Sequence, residues 1–592
     1  MKKYSIILFI SALGLSSCLS DGDFLEYDES TSYEIDYIRK DFNRTMQFVT
    51  DIYSFLPTDF YSVGDAMRSA ACDEGEYVWP TNDIHIMTDG RWTPLRTVDA
   101  QWEHFYKGIR ACNLYLEEFN NSAFEANKYE QEYENQMIRY RNFQWEVRFL
   151  RAFFHFELLK RYGDVPLVKH TLTAEEANSL SRTPFDEVVQ YIADECDTVK
   201  KYITPSYVDA DVYKNEISRV SKAAAYALKS RVLLYAASPL HNPGNDPGRW
   251  KRAAQAAADV LIAMEAGEIF GVSSPAAINY VSQKLPSYQL AVIEPNNYSF
   301  DEIILCRRNG VSGTLEENNL PIGFVGSTSG NVPTHNLVEK YGITQEYLDG
   351  KAGTGVWTNT DPRLKLVVAL HGEAPFSKYP VLEMHEGGAN GLPKTGATNT
   401  GYYLHKFLYK DINLQPYTTH ATFDHNFPLF RYGEIFLNYA EAVNECYGPE
   451  VVPSELGSTM TALEALNKIR SRTGYLPTQI RTFPAGTFPT KKAFFDELRD
   501  ERARELAFED HRFWDIRRWK IGAETQRDIK RLRIQQYITI NPNTGREVKN
   551  YTYTVEVDEN ARVWDDKMYL YPIPQEEIDK NRNLLPQNPG WE

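Results

Sequence analysis

The sequence predicts a mostly α-helical body of stacked helical hairpins that carries an irregular region of short strands, short helices and ordered loops. Three observations lead to this. Apolar residues recur at spacings of three and four through two long blocks. Alanine-rich helices in the first block allow close crossings. The stretch between the blocks loses both features and gains Gly, Asn, Pro and Thr.

The first block is the N-terminal scaffold, residues 37–269. In RFLRAFFHFELLKRYGDVPLV, Phe149, Ala152, Phe153, Phe156 and Leu159 form one apolar stripe, and Gly163 and Pro166 stop the helix. In SRTPFDEVVQYIADEC, Thr183 is placed as the cap and Pro184 as the first helical residue, with Val188, Tyr191, Ile192 and Cys196 on one face. SRVSKAAAYALKSRVLLYAASP aligns Ala224, Ala227, Leu228, Val232 and Tyr235 and ends at Pro239; RWKRAAQAAADVLIAME gives the next helix. Alanines paired with aromatics one turn away resemble tetratricopeptide-type repeats, without a clean period. A loop insert, residues 72–97, interrupts this block.

The second region, 270–426, is too long to be a structureless loop in a compact domain, so it reads as a subdomain on the scaffold. Helical pattern returns over 427–592, in PLFRYGEIFLNYAEAVNECYG, TALEALNKIRSRTG and FFDELRDERARELAFEDHRFWDIRRW. The last stretch places Glu501, Glu505, Glu509 and Asp510 against arginines at helical spacings, which reads as a salt-bridged helix surface.

Residues 1–17 have the parts of an export signal: Lys2 and Lys3, an apolar run from Tyr4 to Leu15, then Ser16 and Ser17. The run is too short to span a bilayer as a helix, which takes roughly 20 residues. Leu15-Ser16-Ser17-Cys18 resembles a bacterial lipobox, making Cys18 the lipidated residue and 18–36 a polar, acidic tether. A net charge of −17 argues against a nucleic-acid partner. Beyond Cys18, five cysteines without CxxC spacing exclude a complete disulfide framework; Cys112, Cys196 and Cys446 fall in helical patterns and read as small core residues.

Taken together, RFLRAFFHFELLKRYGDVPLV, SRTPFDEVV, DPRL (361–364), PLFRYGEIFLNYAEAVNE, ERARELAFEDHRFWDIRRW and the closing YLYPIPQEEIDKNRNLLPQNPGW resemble the SusD/RagB family of outer-membrane nutrient-uptake lipoproteins. The resemblance spans nearly the whole chain. It implies a tetratricopeptide-like scaffold with a ligand-bearing second region, lipid-anchored at the outer membrane and exposed at the surface. It also implies a SusC-like TonB-dependent transporter as partner, oligosaccharide or in some members peptide as ligand, no cofactor and no catalysis.

A sugar is gripped by an aromatic face under its C–H groups and by polar side chains at its hydroxyl rim. In CDEGEYVWPTNDIHIMTDGRWTP, Trp79 and Trp92 lie in loop-like sequence near Asp73, Asn82, Asp83 and Arg91, and these are the leading ligand candidates. Trp357 and the Tyr402-Tyr403 pair in the irregular region are secondary candidates, while Trp145, Trp514 and Trp519 read as packing residues. A surface glycosidase, the enzymatic alternative, needs two carboxylates across a cleft, and no pair among 81 acidic residues is singled out. HExxH and GxSxG are absent, and in GANGLPKT Pro393 stands where a phosphate loop needs glycine. No metal-spaced cluster appears. A purely structural surface protein is the third class.

Overall fold

The computed structural model describes residues 35–592 except 120–121, 208–209, 214–215, 217, 270–284, 286, 294–301, 352–354, 417–421 and 473–480. Cys18, the segment before it and the tether up to residue 34 therefore lie outside the described residues. About 46% of the chain is helical. The longer helices are α1 (Phe42–Ile52), α2 (Trp102–Glu118), α3 (Tyr133–Tyr162), α4 (Phe185–Tyr202), α5 (Lys222–Ala237), α6 (Pro247–Glu265), α7 (Tyr432–Tyr447), α8 (Ala462–Arg470), α9 (Lys491–Glu505) and α10 (Arg512–Arg518). From α2 to α6 each helix packs on the next, and α6 packs on α7, which joins the two blocks across the irregular region.

The helix ends follow local chemistry. Gly163 closes α3 with φ +69°, its N–H donating to the Leu159 carbonyl. Pro184 is the cap of α4 and the helix starts at Phe185, one residue later than the sequence placement. In α5, Ala223, Ala224, Ala225 and Ala227 are all buried and only Lys222, Tyr226 and Lys229 are partly exposed, so the helix is covered on nearly every side. The same holds for the second half of α3, where Arg151, His155, Glu157, Lys160 and Arg161 are buried with the phenylalanines. One stripe was expected there; the structure covers the whole circumference.

Among the described residues, four two-stranded sheets punctuate the helices: β1 (Gly75–Tyr77) with β3 (Asn331–Pro333), β2 (Ile303–Ser312) with β6 (Phe423–Arg431), β4 (Val368–Ala369) with β5 (Tyr403–Leu404), and β7 (Ile529–Ile540) with β8 (Glu547–Asp558), all antiparallel. Two of these differ from the sequence placement. Phe427 to Arg431 is the end of strand β6, and α7 begins only at Tyr432. The long β7–β8 hairpin stands where helices and tail were expected, because its outer half is exposed on both faces and so lacks a clean in–out alternation.

The largest departure concerns ERARELAFEDHRFWDIRRW. Its charges are core, not surface: Glu501, Arg502, Glu505, Glu509, Arg512, Asp515 and Arg518 are all buried. Arg431, at the end of β6, pairs with Glu302 (2.9 Å), Glu505 (2.8 Å) and Glu509 (2.6 Å). Arg472 adds Glu302 (2.6 Å) and Glu505 (2.5 Å), Arg363 adds Glu501 and Glu505 (both 2.8 Å), and Lys406 adds Glu509 (2.6 Å). A second group sets Arg68 against Asp99 (3.0 Å) and Asp510 (2.8 Å), and a third sets Arg518 against Glu441 (2.5 Å) and Asp515 (2.8 Å). The chain bends between α9 and α10, with Phe508 and Asp510 in the left-handed region, and this aims the carboxylates into the interior.

Burial alone would raise the pKa of Glu501 and Glu505, yet the facing guanidinium groups outweigh it and hold Glu505 down at about 2 and Glu501 well below its usual range. Their stability contribution is full above about pH 4.5 and is lost as pH falls toward 2. Glu74 is the opposite case: burial pushes it up to about 8, and its Oε1 has no hydrogen-bond partner.

Two outcomes are expected. Arg431→Met takes one guanidinium from three buried carboxylates, leaving Arg472, Arg363 and Lys406 to hold them, and should lower unfolding stability by about 3–5 kcal/mol, read from urea titrations. For Glu74, the folded pKa lies above the unfolded one, so its contribution fades as pH rises through about 8. Glu74→Gln should therefore flatten the fall in Tm between about pH 5 and about pH 9; parallel curves for the two proteins would refute this.

Candidate functional site

The strands β1 and β3 form a short ribbon, and the chain leaving β1 carries Trp79 to the protein's surface. Its indole N–H donates to the Ser329 carbonyl (3.0 Å), while its own carbonyl meets His85 Nε2 (3.0 Å). The ring lies against Gly396, where an added Cβ would come within 2.9 Å of Cζ2 and where φ is +80°, so glycine is required on both counts. Trp79 is thus pinned along one edge and packed partly against the core, with part of its surface still exposed.

Residues from distant segments border the 328–331 segment that holds it. Tyr77 packs against Gly330, the neighbour of Ser329. Tyr61 is half-buried, and burial together with the nearby Glu316 and Asp65 pushes its hydroxyl up to about 12, which keeps it a neutral donor. Asp65 and Glu317 are exposed carboxylates on the same border, Asp65 through its carbonyl to Asn331 Nδ2 (3.3 Å) and Glu317 through its carbonyl to the Thr328 N–H (2.8 Å). Gly323 approaches Ala389 and Lys394 closely, which joins this border to the 389–396 loop. Phe324 stacks on Tyr379 (4.7 Å between centroids), and Val325, Val381 and Leu392 each expose about half of their surface nearby in the chain. Of these residues, Trp79 and Tyr61 are partly exposed and Asp65, Glu317 and Lys394 exposed, a mixture of aromatic and charged groups suited to a flat ligand with apolar faces and polar edges.

The other candidates are placed differently. Trp92 is fully buried, edge-on to Tyr571 (4.9 Å) and Trp591 (5.2 Å), so it clamps the C-terminal tail and offers no face to a ligand. Asp73 is buried in a two-point bond to Arg512 (2.8 and 2.7 Å), which consumes its carboxylate. Asn82 caps the short helix 83–87 by accepting from the Ile84 N–H (2.8 Å) and donates to the Val63 carbonyl (3.1 Å). Asp83 and Arg91 are exposed, with Arg91 paired to Asp89 (2.6 Å). Trp357 is buried with its indole N–H on the His371 carbonyl (2.8 Å), and Tyr402 is buried with its hydroxyl on His335 Nδ1 (2.8 Å). Tyr403 is buried beside it, donating to the Asn390 carbonyl (2.7 Å). Of the aromatic candidates, Trp79 alone is partly exposed. Tyr61, Asp65 and Glu317 were not anticipated, since nothing local in sequence ties them to Trp79.

A separate cleft of about 300 Å³ runs beside α2, lined by Trp102, Tyr106, Val168, Leu172 and Leu584. Trp102 and Tyr106 contact each other (5.2 Å) and Tyr106 donates to the Pro166 carbonyl (2.9 Å), so these rings are largely committed to structure. Among the described residues, no group of three or more His, Cys, Asp or Glu is placed to hold a metal ion, and no helix is long and apolar enough to cross a membrane. The five described cysteines are free thiols; Cys72, Cys112, Cys196 and Cys306 are buried, and Cys446 is only partly so.

Comparison with known proteins accords with this architecture. Residues 314–591 match a family model described as the SusD family, and residues 66–234 match one described as "Starch-binding associating with outer membrane". SusD-like protein P25 of Formosa agariphila is 23% identical, with 99% of this chain and 98% of that one covered; SusD-like protein P2 of the same organism is 25% identical over 75% and 73%. A solved SusD-like protein from Bacteroides fragilis superposes with a TM-score of 0.68 at 24% identity, over 94% of this chain and 98% of that one. A structure named as a laminarin-binding SusD-like protein gives 0.59 at 19% identity, over 93% and 99%. At these identities the superpositions establish the fold, a tetratricopeptide-like helical architecture. With both family models in chain order from residue 66 to residue 591 and the buried-charge motifs in place, the chain belongs to the SusD/RagB family.

Proposed function

We propose that the protein is a non-catalytic, lipid-anchored capture protein that binds oligosaccharides on the Trp79 surface and passes them to a SusC-like TonB-dependent outer-membrane channel. The observation that carries the binding reading is the partly exposed Trp79 ring, pinned by the Ser329 carbonyl and Gly396. A ring fixed before the ligand arrives loses little entropy on binding, and exposed carboxylates such as Asp65 and Glu317 can accept from sugar hydroxyls. The description of the N-terminal family model and the carbohydrate ligands named for similar solved proteins support the ligand class. Cys18 is proposed to carry the acyl chains that hold the body at the outer membrane, on its outer face.

The test is a panel of polysaccharides and peptides offered to the protein lacking its first seventeen residues, scored for retention and for breakdown. Retention of a glycan without products is expected. Trp79→Ala should weaken that binding about tenfold or more, whereas Trp92→Ala should instead lower stability by about 3–5 kcal/mol through the cavity it leaves. Products in the mixture would refute the non-catalytic reading, and retention of peptides alone would replace the sugar with a peptide. Cys18→Ser should release the protein from the envelope fraction; unchanged partition would sink the anchor.

A further inference from the structure

The β7–β8 hairpin is built in two halves. The body holds the inner half: the Leu532 N–H donates to the Thr400 carbonyl (2.9 Å), the Glu386 N–H to the Ile534 carbonyl (3.0 Å), and the Val555 N–H to Gln345 Oε1 (2.6 Å). Beyond Gln536 and Tyr551 the ribbon continues outward, and among the described residues no hydrogen bond or ion pair ties it to the body. Tyr537, Ile538 and Ile540 expose 49%, 54% and 60% of their surface, and Val548 exposes 38%. A lone two-stranded ribbon is marginal in water, and three or more strands are needed for a stable sheet. Exposed β-branched residues on such a ribbon call for a further strand.

Alternation of the backbone identifies which groups remain for one. Val555 donates outward to Gln345, and Gln345 Nε2 donates to the Tyr553 carbonyl (3.2 Å), so the peptide groups of these two residues point away from β7. Along an antiparallel strand this recurs at every second residue, which places the free N–H and C=O of Tyr551, Lys549 and Glu547 on the open edge of β8. The ladder sets Lys549 opposite Ile538 and Glu547 opposite Ile540. The two charges therefore share one face with two exposed isoleucines.

We infer that this edge pairs with the same edge of a second copy of the chain, antiparallel about a twofold axis at Val548. In that register Glu547 of one copy faces Lys549 of the other, twice over by symmetry, and each facing pair exchanges both backbone hydrogen bonds. The two valines meet as the close, non-hydrogen-bonded pair on the axis. Opposite charges directly across an antiparallel pair stabilise it, and like charges there oppose it. A lone edge lysine repels indiscriminate strand addition; a lysine two residues from a glutamate on an outward-facing register admits a partner with the same spacing reversed, which this strand itself supplies. The isologous arrangement closes at two copies and makes one four-stranded sheet.

The test uses the full chain in density-matched detergent, followed by sedimentation over a concentration series. A reversible monomer–dimer equilibrium is expected. K549E sets Glu against Glu in both pairs and should weaken association about tenfold. The charge exchange E547K/K549E restores opposite charges across the axis and should return the parent affinity. V548C should form a disulfide-linked dimer in cells under mild oxidation, with the parent protein as control for its native thiols. A monomer at every concentration, or a dimer indifferent to both charge variants, overturns the inference. All positions changed are exposed or partly exposed, so folding is not at issue.

Discussion

The structure depends on charges removed from water. Glu501, Glu505 and Glu509 on one short stretch gather Arg363, Arg431, Arg472 and Lys406 from four other segments, and Glu302 closes the set. An isolated charge in this interior would cost several kcal/mol, so no member can be placed without its partners. The consequence is geometric: β6, the turn after α8, the 361–364 segment and β5 must all arrive at α9 in one arrangement. Apolar burial tolerates small slips of one element on another; a two-point guanidinium–carboxylate bond does not.

This frame explains why loops can bear the ligand surface. β1 leaves Asp73 bound to Arg512, and β3 follows it in register. The chain beyond β1 is then free to project Trp79, whose position is fixed by Ser329 and Gly396 on loops from the other region. Rigid helices beneath variable loops allow ligand contacts to change without disturbing the core.

Much of the helical plan was legible in the sequence because its signals are local. Gly163 ends α3 and the alanines of α5 are buried, as period and stop residues indicate. Charges at helical spacing, by contrast, look alike whether they face water or each other, since the partners of Glu505 lie far away in the chain. The two tryptophans of the 72–97 insert show the same limit. Both sit in loop-like sequence, but only the fold reveals that Trp92 meets Trp591 while Trp79 meets a glycine. Tyr61, Asp65 and Glu317 carry no local mark, because their neighbourhood is created by the pairing of β1 with β3.

The contact of Trp92 with Trp591 also governs the order of assembly. The penultimate residue seals a space opened in the first sixth of the chain, beside Tyr571, which itself hydrogen-bonds Asp99 (2.9 Å). A chain delivered from its amino end cannot finish its earliest layer until its last residues arrive. Such long sequence separation between touching parts makes folding slow and leaves premature fragments with greasy surfaces uncovered. The layer around Trp92 is therefore completed by Trp591 and Tyr571, and a change at either of those two is felt there first.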